Sequence, residues 1–143
     1  MSKARQFPLP DLERQDVKVG QAGPGRVPGV VISSVADALE VHVTMPDAEN
    51  AQSLARALVD EELAACVTIV PGARSIYRYE GQIHEEDEVV CFVKTHPALF
   101  ERLRDRILAL HPYDVPEILA FKVHDGSRSY LDWLHGNVQV TER

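Results

Sequence analysis

The chain has 143 residues, 45% of them apolar, and a formal net charge of −7, which is material for one packed domain. Residues 1–37 carry five Lys/Arg against four Asp/Glu, which leaves −8 on the rest; that acidic body excludes a phosphate-gripping face, and nucleic acid with it, and suits cations. No apolar run approaches the roughly 18 residues of a membrane helix, and the start MSKARQFPLPDLERQ lacks the apolar stretch of a secretory signal, so a cytoplasmic protein with no membrane partner is expected.

Residues 1–37 hold four of the nine prolines, together with Gly20, Gly23, Gly25 and Gly29. They read as a flexible or loosely docked Pro/Gly-rich extension in which Val30, Val31 and Ile32 are able to pack on another surface. The domain proper is placed at residues 38–143. It opens with Leu39-Glu40-Val41-His42-Val43-Thr44, whose alternation predicts a half-buried strand. Asp47 is a good N-cap, and Ala51, Leu54, Ala55 and Leu58 follow at helical spacing, so residues 48–62 are predicted helical.

Residues 65–79 are rich in β-branched and aromatic types and predict a second strand, bent at Pro71-Gly72. Glu80-Gly81 reads as a hairpin turn, and residues 82–95 return as the third strand. The apolar run Val89-Val90-Cys91-Phe92-Val93 predicts a central strand covered on both faces. His96-Pro97 opens a second helix with the stripe Leu99, Phe100, Leu103, Ile107 and Leu110, and Pro112 ends it. Residues 116–123 read as a fourth strand. A last helix is predicted over 127–135, packing through Tyr130, Trp133 and Leu134, with Gly136 as its C-cap.

The order β-α-β-β-α-β plus a helix is the ferredoxin-like α+β pattern, an antiparallel sheet with two helices on one face. A 15-residue strand spans about 50 Å, whereas a 100-residue globule has a radius of gyration near 13 Å. The hairpin must therefore project, carrying Ile76, Tyr77, Tyr79 and Ile83, and exposed apolar hairpins aggregate unless neighbours cover them. An oligomer is the expectation.

Cys66 and Cys91 belong to no CxxC motif, and both read as core thiols. Glu85-Glu86-Asp87, beside His84, reads as a solvated edge, while Glu88 enters the third strand and is expected to be partly buried. His124-Asp125 reads as a turn cap rather than a metal pair. His111 is either a ligand for a divalent metal or a cap on helix-end carbonyls. Lys94, Tyr113 and Glu117 are candidates for a cleft that binds a small anion or metabolite, or for a structural ion pair. No phosphate loop, nucleophile elbow or HExxH occurs, so no catalytic residue is assigned and no enzyme is expected.

The segments Leu63-Ala64-Ala65-Cys66-Val67, Val70-Pro71-Gly72-Ala73-Arg74-Ser75-Ile76-Tyr77, Val93-Lys94-Thr95, His111-Pro112-Tyr113-Asp114-Val115-Pro116-Glu117 and Tyr130-Leu131-Asp132-Trp133-Leu134 stand in a fixed order. This series resembles the CutA family of divalent-cation tolerance proteins over about residues 39–138. The resemblance implies a homotrimer whose sheets pack about a three-fold axis, with the hairpin and its Ile76, Tyr77 and Tyr79 reaching a neighbour. It also implies a role in tolerance of copper and other divalent metals, with weak metal binding, and copper as the one cofactor to consider. The alternative is a trimeric sensor or scaffold that holds a metabolite or partner between subunits. Family members assigned a copper site use a first-strand Cys and two adjacent His before Pro-Tyr. Here those positions are Val43, Leu110 and His111, so one ligand of three is retained.

Overall fold

The computed structural model describes residues 37–140. The extension predicted over residues 1–37, including Val30 to Ile32, lies outside them except for Asp37. Four strands and three helices follow in the order β1 (Leu39–Met45), α1 (Ala48–Asp60), β2 (Cys66–Tyr79), β3 (Gln82–Thr95), α2 (Phe100–Leu110), β4 (Ile118–Lys122) and α3 (Arg128–Gly136). A 3₁₀ turn at Pro97–Leu99 leads into α2. The strands form one antiparallel sheet in the order β2-β3-β1-β4.

The Asp47 carboxylate accepts the Asn50 backbone N–H at 2.7 Å and so starts α1. Asp47→Ala is expected to lower stability by about 1 kcal/mol, read from the denaturation midpoint; no change would mean the cap is immaterial. α1 ends two residues before the predicted Glu62. Glu62 takes a left-handed φ of 59°, its N–H bonds Val59 O, and Leu63 N–H bonds Leu58 O. That is a Schellman closure with glutamate where glycine is usual.

β2 and β3 run side by side for 14 residues each, about 46 Å by length. Their register breaks between Val70 and Ala73, where Gly72 adopts φ 83°. The bend expected at Pro71-Gly72 is therefore a bulge. Glu80 and Gly81 both have positive φ, the two-residue turn whose twist matches that of its strands. β4 is shorter than predicted, five residues instead of eight. Pro116 has no N–H to give a ladder, and pairing starts where Ile118 meets Val43.

Paired residues share a face of a sheet. On one face Val41, Val43, Cys91 and Val93 are fully buried beneath Leu54, Leu58, Leu103 and Ile107 of α1 and α2. Burial pushes the Cys91 thiol up to about 11. α3 packs through Leu131 and Leu134 into a second cluster with Ala38, Ala65, Leu99 and Val138. The predicted packing face of α3 is corrected accordingly, since Tyr130 and Trp133 are 44% and 46% exposed. Gly136 is the last helical residue. The cap is Asn137, whose side-chain amide donates to Trp133 O at 2.8 Å. Leu110 also leaves the predicted stripe, being 39% exposed.

The other sheet face carries three rows: Cys66–Lys94–Glu40–Phe121, Thr68–Phe92–His42–Leu119 and Val70–Val90–Thr44. Both long helices lie on the opposite side, so within one chain β3 is central and covered on one face. Leu119 and Phe121 are 52% and 48% exposed, and Cys66 is half-buried here instead of in the core. None of the described helices is long and apolar enough to cross a membrane.

Candidate functional site

The loop between α2 and β4 brings three residues of catalytic or ligating type together. α2 stops before Pro112, and His111, the residue that caps it, turns inward and is 8% exposed. Its Nδ1 accepts the Tyr113 backbone N–H at 3.0 Å, and its Nε2 lies 2.8 Å from Thr44 O. A backbone N–H can only donate and a carbonyl can only accept, so the ring is the neutral Nε2–H tautomer. Both nitrogens thus hold backbone, and Nδ1 has no lone pair free for a metal in this conformation. In this geometry the ring ties loop and strand backbone together rather than capping helix-end carbonyls.

Tyr113 is 4% exposed, lies tilted against the His111 ring at 4.8 Å, and donates its hydroxyl to the Glu88 carboxylate at 3.2 Å. Glu88 is 2% exposed, deeper than the partial burial expected. The loop is therefore tied to β1 through His111 and to β3 through Tyr113.

Lys94 does not join this cluster. It lies on the uncovered face at the far end of β3, six residues from Glu88, or about 20 Å along the strand. Its Nζ donates to Thr68 Oγ1 at 2.7 Å and to Phe92 O at 3.3 Å. Glu117 is exposed and directly precedes β4. Within one chain the candidate cleft residues Lys94, Tyr113 and Glu117 are thus divided between two ends of the sheet. Sequence spacing carries no signal of that separation.

The hairpin residues divide as well. Tyr77 and Tyr79 flank the His84 ring on one face, at 5.6 and 5.8 Å, while Ile76, 64% exposed, points to the other. The acidic run is a solvated edge as expected, with Arg74 bridging Glu85 at 2.8 Å and Asp87 at 3.0 Å. The Asp125 carboxylate caps its own turn by accepting Gly126 N–H. Among the described residues no three His, Cys, Asp or Glu side chains converge as metal ligands would. A groove of about 620 Å³ runs between α1 and the edge of β2, lined by Ala55, Arg56, Val59, Val67 and Ile69, away from His111. Sequence reasoning gave no sign of it.

The family model described as CutA1 divalent ion tolerance protein matches residues 39–137. The chain belongs to the CutA1 family. The divalent-cation tolerance protein CutA of Thermus thermophilus is 52% identical over 97 residues, 68% of this chain and 94% of that protein. A solved structure of the Thermus thermophilus divalent cation tolerance protein superposes with a TM-score of 0.70 at 49% identity, covering 71% of this chain and 99% of that one. CutA1 from Oryza sativa superposes with a TM-score of 0.74 at 37% identity, over 76% and 100% of the two chains. Within this member of the CutA1 family Val43 is core, and the Leu110 side chain offers no ligand atom, so neither supplements His111.

Proposed function

We propose that the chain acts as a homotrimer of ferredoxin-like subunits, a non-catalytic, cytoplasmic divalent-cation tolerance protein that binds copper or a related divalent ion weakly. The observation that carries the assembly is the uncovered sheet face. Val70, Leu119 and Phe121 are each at least 40% exposed there, and His42 is packed at 4.8 Å from Phe92 and 4.4 Å from Phe121. Large apolar side chains exposed on one sheet face mark an interface. The projecting half of the hairpin, with Ile76 and Ile83 more than 60% exposed, supports a neighbour in the same way, and Tyr77 and Tyr79 extend the surface offered. Size exclusion with light scattering at micromolar concentration is expected to give three chains; a monomer sinks this reading.

Weak metal binding is supported by the acidic body and by the family's association with divalent ion tolerance. Binding at His111 must break the bond from Tyr113 N–H, and that competition keeps affinity low. Titration calorimetry with copper(II) and zinc(II) is expected to give binding tighter than about millimolar but far from nanomolar, lost in His111→Ala. Heat unchanged by the substitution would move the metal elsewhere or remove it.

One observation favours the second reading, a sensor or scaffold. The Lys94 ammonium bonds two neutral oxygens, and among the described residues no carboxylate pairs with it. In an assembly it is placed to meet an anionic metabolite or a carboxylate such as Glu117 of a neighbour. A thermal-shift screen with nucleotides and organic acids, repeated on Lys94→Met, tests this; a flat screen removes it.

A further inference from the structure

His96 and His135 are 39 positions apart in sequence, yet their rings meet at 5.1 Å. The pair sits where α3, the 3₁₀ turn and the start of β1 converge. His96 precedes that turn, and its Nδ1 accepts Ala98 N–H at 3.0 Å. His135, in the last turn of α3, donates Nε2–H to Asp37 O at 2.7 Å. Beneath them lies the small cluster that holds α3, with Leu99 from the turn, Leu131 and Leu134 from the helix, and Ala38.

We propose that His96 and His135 form a pH-sensitive latch that holds α3 on the domain and releases it when His96 takes up a proton. The chemistry follows from the bonds. Ala98 N–H needs the Nδ1 lone pair of a neutral His96 ring. A proton on Nδ1 faces that N–H directly, so the cap is lost. The His135 ring, held by its bond to Asp37 O, lies 5.1 Å from the charge that then appears on His96 in a partly buried setting. The groups that act on His96 are His135 from α3 and Asp37 from the segment before β1. Burial first, and then His135, lower its proton affinity, against the opposing pull of Asp37.

The sign is fixed by that direction. A ring whose folded pKa lies below the unfolded value of about 6.5 stabilises the docked state fully above pH 6.5. That contribution is lost as pH falls through the folded value. α3 also carries Tyr130, whose hydroxyl pKa is raised by burial and then by Cys66 and Glu40, groups on the uncovered sheet face. Release of α3 therefore alters the rim of that face.

Trp133 is the only tryptophan of the chain and lies on α3, so its fluorescence reports the latch. The experiment titrates the full chain from pH 8 to 5, following Trp133 emission, far-UV circular dichroism and amide exchange over residues 128–138. The expected result is an emission change below pH 6.5 and about tenfold faster exchange of α3, with the sheet signal intact. His96→Asn keeps an acceptor for Ala98, and His135→Gln keeps a donor for Asp37, without titrating; the double variant is expected to be flat. A flat wild type, an undiminished transition in the double variant, or a transition that coincides with loss of the sheet signal overturns the proposal. Should the double variant fail to fold at pH 8, NMR titration of His96 in His135→Gln decides. A raised His96 pKa supports the latch, and an unchanged one refutes it.

Discussion

Replacing His111 with alanine is expected to lower the unfolding free energy by about 3–5 kcal/mol. Its ring satisfies the Thr44 carbonyl at 2.8 Å and the Tyr113 N–H at 3.0 Å, both in a site closed to water. Leaving a buried backbone group without a partner costs roughly 1–3 kcal/mol, and two are orphaned at once. A hole where the ring met Tyr113 adds to this. Denaturant unfolding at fixed protein concentration checks it. A residue retained only as a ligand would leave stability within about 0.5 kcal/mol of wild type, as surface changes do. The same variant thus separates clamp from ligand, provided that calorimetric titration is done well below its unfolding midpoint.

The second large effect concerns assembly. Leu119→Glu combined with Phe121→Glu is expected to reduce the particle to a single chain of 15.9 kDa. Both residues lie on β4, at the edge of the uncovered face, and both are about half exposed. Glutamate is therefore tolerated by the subunit itself, whereas a buried unpaired carboxylate in a contact is not. Light scattering with circular dichroism reads both quantities. A particle still larger than one chain, with its fold intact, would move the contact to another surface. Ile76→Glu at the hairpin then becomes the next substitution to try.

Much of the fold was legible because it follows from local rules. The alternation in β1, the Asp47 cap, the Pro71-Gly72 irregularity and the Glu80-Gly81 turn each depend on a few adjacent residues. The misplaced packing faces share one cause, which is that periodicity does not reveal which face meets what. Tyr130 and Trp133 fit a helical stripe as well as Leu131 and Leu134 do, but only the leucines find the second cluster. The run Val89 to Val93 reads as doubly covered, yet in one chain Val90 and Phe92 look away from both long helices.

The candidate site was legible by residue type and not by bonding. His111 and Tyr113 stand out in any reading, but nothing in the order of residues says that Thr44 and Tyr113 backbone occupy both imidazole nitrogens. Lys94 and Glu117 stand out equally, and only strand register separates Lys94 from the loop. The His96–His135 pair gave no signal at all, because it depends on where α3 lands.

The two cysteines make this protein a convenient substrate for site-selective chemistry. At pH 8 a thiol with a pKa of about 11 is only about 0.1% thiolate, and Cys91 is also sealed beneath α1 and α2. Cys66 is partly open to solvent on the uncovered face. A maleimide applied to the native protein is therefore expected to spare Cys91, and its access to Cys66 reports whether that face is covered. Slow labelling of Cys66 in the native protein, made fast by Leu119→Glu with Phe121→Glu, would support the proposed contact on that face.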